Sequence, residues 1–334
     1  MIPAIAFETT PAWQRELAAS ITDPGELCRL LRLDPEVLES ARAAQRGFGL
    51  RVTQSYLRRI RPGDPQDPLL LQVLPTDLEL QPQPPEFALD PVGDRSASAR
   101  PGVLHKYYGR ALLIATGACA IHCRYCFRRH FPYAEAHAGR DDWQPALDYL
   151  RRDPSLNEVI LSGGDPLVLR DDKLAALAQS LSAIPQLRRL RIHSRVPVVL
   201  PSRVDARLLD WISRSRLRIV LVLHVNHARE LAADVLEALT QLRQSGALLL
   251  NQSVLLRGVN DSAATLAELS ETLFDAGVQP YYLHLLDRVR GAAHFDLPQA
   301  EAEALYRELR ARLPGFLVPR LVREVAGEPY KSLV

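Results

Sequence analysis

Lysine is scarce in this chain: its 334 residues hold only Lys106, Lys173 and Lys331. Arginine carries the basic character, and 41 Lys plus Arg against 39 Asp plus Glu leave a net charge of +2. So even a balance gives no electrostatic case for wrapping nucleic acid. An apolar run of the roughly 18 residues that a membrane helix needs is absent, so no span is expected. The opening MIPAIAFETTPAWQREL has no basic start followed by a long apolar stretch, so no secretory leader is read and a cytoplasmic location is expected. Cysteine is sparse too. Three of the 4 cysteines lie between positions 119 and 126, which is no disulfide framework. In a reducing compartment such a cluster points to a metal centre.

What is present is an ordinary globular composition, 47% hydrophobic and 24% charged, on a chain long enough for one α/β barrel with an appendage. Residues 11–60 read as helical, with Cys28 inside an apolar helical pattern and expected in the core. Residues 62–102 are rich in Pro, Gln and Asp and read as an extended linker ordered by its contacts. From residue 110 onward, strand-like runs at 111–116, 158–162, 189–194, 218–225, 247–253 and 280–286 alternate with helical patterns. Strand and helix in series imply a parallel sheet, and right-handed crossovers favour a barrel or partial barrel.

Each strand run ends in reactive or ligand-like residues. The first leads to the cysteines, the second to Gly163-Gly164-Asp165 and the third to His193-Ser194-Arg195. The fourth ends at His224-Val225-Asn226-His227, the fifth at Asn251-Gln252-Ser253 and the sixth at Asp287. Active sites of parallel barrels lie at the C-terminal strand ends, so these groups are expected around one mouth.

The cysteine spacing is Cys119-x3-Cys123-x2-Cys126. Structural zinc sites close with four ligands, commonly as two separated pairs. A 4Fe-4S cluster also takes four thiolates, so three from one loop leave one iron open to a small molecule. The spacing resembles the radical S-adenosylmethionine (SAM) superfamily, in which SAM chelates that open iron. The resemblance implies Cys119, Cys123 and Cys126 as cluster ligands and Tyr125 against the adenine. Gly163, Gly164 and Asp165, within SGGDPL, match the motif that binds SAM's amino group.

Further motifs narrow the resemblance. CRYCFRR, SGGDPL, HSRVPVVLPSRV, LHVNH, NQSVLLRGVND and PYYLHLLD, in that order, resemble the lysine 2,3-aminomutase family over roughly residues 100–331. That family combines SAM with pyridoxal 5′-phosphate (PLP), which needs a lysine. The resemblance implies Lys331, in AGEPYKSLV, as that lysine. Arg110 and Lys106 match positions that serve the PLP phosphate, and Gln252 and His224 match further PLP contacts. On the substrate side, Arg128 corresponds to the arginine that grips the carboxylate. Asp287 corresponds to an aspartate that holds the ε-ammonium. Glu324 stands seven residues before Lys331, where the family has a second aspartate.

The implied reaction converts L-α-lysine to β-lysine by a radical route, because the β-hydrogen is not acidic enough for an ionic one. The implied fold is α/β: a radical SAM partial (β/α)6 barrel over 101–300. An N-terminal helical region and linker precede it over 1–100, and a short C-terminal segment over 301–334 carries Lys331. Because the sequence stops three residues after Lys331, it resembles the bacterial branch whose product, (R)-β-lysine, modifies elongation factor P. The implied partners are L-lysine, a reducing electron donor, and a functional link to elongation factor P and its ligase. A stand-alone lysine or glutamate aminomutase and a non-catalytic iron-sulfur protein are the alternatives.

Overall fold

The computed structural model describes residues 10–135 and 143–334. Ten strands follow one another in sheet order exactly as they do in sequence. They are β1 (Ser98–Arg100), β2 (Val103–Tyr107), β3 (Arg110–Thr116), β4 (Glu158–Gly163), β5 (Arg189–Ser194), β6 (Arg218–His224), β7 (Leu248–Val254), β8 (Gln279–His284), β9 (Arg320–Arg323) and β10 (Ser332–Leu333). From β3 to β9 all neighbours are parallel. Antiparallel β1 and β2 flank one edge and antiparallel β10 the other. Among the described residues β1 and β10 do not pair, so the barrel is partial.

The six sequence-read strands are β3 to β8, and β9 adds a seventh parallel strand. Crossover helices such as Asp171–Ser182, Ala233–Gln244 and Ala263–Asp275 pack outside the sheet. Their starts follow local chemistry. The Ser262 hydroxyl accepts from the Thr265 amide at 3.1 Å, and Asp205 caps helix Ala206–Arg214 through the amides of Arg207 and Leu208.

The period-2 pleat divides the barrel into a dry outside and a polar inside. On β5, Leu190 and Ile192 are buried in the outer core, while Arg189, Arg191 and His193 face inward to the cavity. On β7, Leu249 packs outward while Gln252 and Val254 face the cavity. The main apolar core lies between the sheet's outer face, the crossover helices and the N-terminal helices Ala12–Ala18, Pro24–Leu31 and Pro35–Gln45. Cys28 belongs to it at 3% exposure. Among the described residues no helix is long and apolar enough to cross a membrane.

The stretch read as an extended linker is more built than expected. It holds a short helix, Pro68–Leu71, and a 3-10 turn, Asp77–Leu80, and it buries Gln72, Glu79 and Asp94. These polar side chains support the cysteine loop and the cavity wall.

Candidate active site

A cavity of about 880 Å³ runs inside the partial barrel. Its wall holds Cys119, Cys123, Cys126, Tyr125, Gly163, Gly164 and Asp165 at the C-terminal end of the strands. Arg128, His224, Gln252, Asp287, Glu324, Lys331 and Lys106 share the same wall. So does Arg110, which sits at the opposite end of the strands, in register with Glu158 on β4. The fold thus brings to one space every residue for which the family resemblance implies a cofactor or substrate role. Some strand-end residues are not on the wall. Asn251 and Ser253 point to the loop after β6, bonding the backbone of Val225, and Asn226 joins Gln72 and Tyr125.

The cysteine loop is held from two sides. Beneath it, Gly164 N–H donates to Thr116 O at 2.6 Å and Asp165 N–H to Ala118 O at 2.8 Å. A Cβ on Gly164 would stand 2.3 Å from Ala118 O, and Gly163 has φ +115°. The glycines therefore let β4 close against the start of the loop. From the N-terminal region, Glu79 accepts from Arg124 at 2.7 and 2.6 Å and from Arg129 at 2.6 Å. These two arginines of CRYCFRR are structural clamps. The Asp165 carboxylate accepts from Ser194 Oγ and from the amides of Leu167, Arg195 and Val196. It ties β4 to β5, and burial raises its pKa.

Burial pushes the Cys126 thiol up to about 11 and raises that of Cys119, each helped by a neighbouring cysteine. A positive centre would favour the thiolate forms of these two. Among the described residues no three His, Cys, Asp or Glu side chains converge on a single metal ion. The triplet offers three thiolates from one loop, one short of a closed structural zinc site. Arg195 Nη1 lies 2.8 Å from Cys123 Sγ and 2.9 Å from the Tyr125 hydroxyl, while Nη2 pairs with Glu230 at 2.9 Å. Sequence reading placed Arg195 at a strand end without giving it a task.

A chain of alternating charges crosses the wall. Arg128 Nε donates to Asp94 Oδ2 at 2.7 Å, and Lys106 Nζ lies 2.6 Å from Asp94 Oδ1 and 2.8 Å from Glu324 Oε1. Glu324 in turn pairs with Lys331. Lys106 also donates to Val92 O at 2.8 Å, so its three donors are spent inside the protein. In this arrangement it has none for a phosphate. Arg110 has no ion pair among the described residues and stacks 4.5 Å over the Tyr107 ring. Glu324 is held down to about 2, burial being outweighed by Lys331 and Lys106. Asp287 differs: its carboxylate carries no hydrogen bond or ion pair among the described residues, and burial lifts it to about 7.

Three imidazoles complete the wall. Among the described residues, Nε2 of His193, His224 and His284 is buried without a partner, as is Arg191 Nε. Burial depresses all three, His224 to about 3, which favours their neutral forms. His224 had a motif to mark it. His284 lay within PYYLHLLD without being given a role, and Arg191 lay in no motif, because inward-facing polar residues in a strand look like ordinary alternation. These orphaned polar atoms, the thiol set and the two lysines fit a site built for large polar cofactors.

No protein-family model matches the chain. Among curated proteins it is 51% identical over 321 residues to the L-lysine 2,3-aminomutase of Escherichia coli, covering 96% of this chain and 93% of that one. It is 47% identical to the Haemophilus influenzae L-lysine 2,3-aminomutase, covering 96% and 95%. With the Clostridium subterminale L-lysine 2,3-aminomutase it shares 35% identity, covering 96% and 77%. Among solved structures, a radical SAM methyltransferase from Sphaerobacter thermophilus superposes with a TM-score of 0.47 at 20% identity, covering 66% and 68%, too slight a likeness to bear on function. With half its residues identical across nearly the full length of both chains, this chain belongs to the L-lysine 2,3-aminomutase family of isomerases.

Proposed function

We propose that this enzyme converts L-lysine to (R)-β-lysine with a 4Fe-4S cluster, SAM and PLP, and that the product serves the modification of elongation factor P. The observation that carries the reading is one cavity lined by the cysteine triplet, Lys331, Arg128 and the unpartnered carboxylate of Asp287. Bound there, the three cofactors would supply one-electron reduction, hydrogen-atom abstraction and a carrier for the migrating nitrogen.

The chain's own residues then have distinct tasks. Cys119, Cys123 and Cys126 hold the cluster. Tyr125 and the Gly163-Gly164 backbone frame SAM, with Asp165 fixing that frame from behind. Lys331 carries PLP, and Arg110, Gln252 and His224 contact it. Lys106 acts on this group through Glu324, whose charge it shares with Lys331. Arg128 grips the substrate carboxylate and Asp287 the ε-ammonium, which fixes a linear substrate at both ends. Asp287, Glu324 and Asp94 together disfavour glutamate, whose distal carboxylate would meet like charge.

Anaerobic reconstitution with iron, sulfide, PLP and SAM tests the chemistry, with lysine and glutamate offered separately. Formation of β-lysine alone is expected, and turnover of glutamate in preference would overturn the substrate reading. The elongation factor P role is supported by the motif resemblance. Deleting the gene and weighing that factor by mass spectrometry tests it: an unchanged mass would remove the role and leave the aminomutase chemistry standing.

A further inference from the structure

We propose that Asp94, in the stretch that reads as a linker, is a positioning residue that aims Arg128 at the substrate carboxylate. The inference rests on the reading of Arg128 above. Asp94 is 2% exposed and uses its two oxygens on two different cations. Oδ2 takes Arg128 Nε at 2.7 Å, and Oδ1 takes Lys106 Nζ at 2.6 Å. Its pKa is lowered despite burial, because Arg128 and Lys106 both favour the charged form.

The turn that presents Asp94 is itself built. Asp90 accepts from the amides of Asp94 and Arg95 at 2.9 Å each. Gly93, at φ +68°, lies so close to Ala326 that a Cβ there would stand 3.0 Å from the Ala326 Cβ. The turn is therefore seated against the segment that carries Glu324 and Lys331.

This geometry limits what Arg128 can do. Nε is fixed by Asp94, and Nη1 donates to Ser162 Oγ at 2.9 Å. Nη2 has no hydrogen bond among the described residues. Two restraints on a planar guanidinium fix its plane, so the free edge is presented to the cavity in one orientation. Without Asp94 the side chain keeps its charge and loses its aim. Because Asp94 shares Lys106 with Glu324, it also sets the distance between the carboxylate-binding end and Lys331.

The test compares L-lysine with 1,5-diaminopentane, which has the same two amines and no carboxylate, in reconstituted Asp94→Asn enzyme. The KM for lysine is expected to rise about 10- to 100-fold, the cost of a misplaced positioning group. The turnover number and the inhibition constant of the diamine are expected to stay within about threefold, since neither reports the carboxylate contact. Parallel weakening of lysine and diamine, or no change in either, overturns the proposal. Arg128→Gln separates the two readings. If Arg128→Gln weakens lysine and the diamine equally, or neither, the carboxylate role of Arg128 falls; if it weakens lysine selectively and Asp94→Asn does not, only the role of Asp94 falls. Should Asp94→Asn not take up iron and PLP, Asp94→Glu, which keeps the charge and displaces the carboxylate by one methylene, is read instead. Failure of both to assemble marks Asp94 as a folding residue and overturns the proposal.

Discussion

If Asp287 receives the ε-ammonium as proposed, the burial that raises its carboxyl makes lysine binding pH-dependent. Its carboxylate is lifted from 3.8 to about 7, chiefly by burial. Above pH 7 it is charged and can receive the ε-ammonium. Below pH 7 the proton must leave before lysine binds, at a cost of about 1.4 kcal/mol per pH unit. The kcat/KM for lysine should therefore fall about fivefold from pH 7 to pH 6, approach tenfold per unit below that, and level off above pH 8. The effect on folding has the opposite sign. The folded state holds this proton more tightly than the unfolded chain, so the group's contribution to stability is present at low pH and is lost as pH rises through about 7. Asp287→Asn should remove the acid limb. It should also raise the KM by roughly 10² to 5 × 10³, since an ammonium left in a buried site without its partner costs about 3–5 kcal/mol. The assay is the anaerobic pH profile of kcat/KM for both proteins. A flat wild-type profile between pH 6 and 8, or an acid limb that survives in the variant, would refute the assignment.

Replacing Cys119, Cys123 or Cys126 by Ala should abolish iron binding on anaerobic reconstitution, while Cys28→Ala keeps it; the reverse pattern in iron content would sink the cluster assignment. Borohydride should fix PLP to a peptide containing Lys331, and Lys331→Ala should retain iron yet show no turnover. Label on Lys106 or Lys173 instead would move the PLP site. Gly164→Ala places a Cβ against Ala118 O, so a loss of at least about 1–3 kcal/mol is expected in denaturant unfolding. Undiminished stability there would mean that the loop is not held by this close approach.

The strands β3 to β8 were legible because each is a short apolar run between helical patterns, and the inner wall because its polar residues cluster at strand ends. What escaped has a common physical cause. β9 buries only Leu321 and Val322 between two arginines, so its run is too short to stand out. Asp94 and Glu79 looked like solvated acids in a polar stretch. Their cations, Arg128 and Arg124, lie 34 and 45 residues further along. Burial of a charge by a distant partner leaves no local periodicity. The same limit applies to Lys106, whose family position suggested a phosphate contact while Asp94, Glu324 and Val92 consume its donors.

The grip of Glu79 on Arg124 and Arg129 bears on assembly. The cysteine loop rests on residues that precede the barrel: the Arg124 amide donates to Gln72 O, the His122 amide to Arg51 O, and the Arg124 guanidinium to Phe48 O. The loop thus has two supports, this N-terminal bed and β4, and any cluster on its thiols would depend on both. Trimming the chain to its barrel, for instance by starting at Val103, would leave the motif intact and the protein unable to load it.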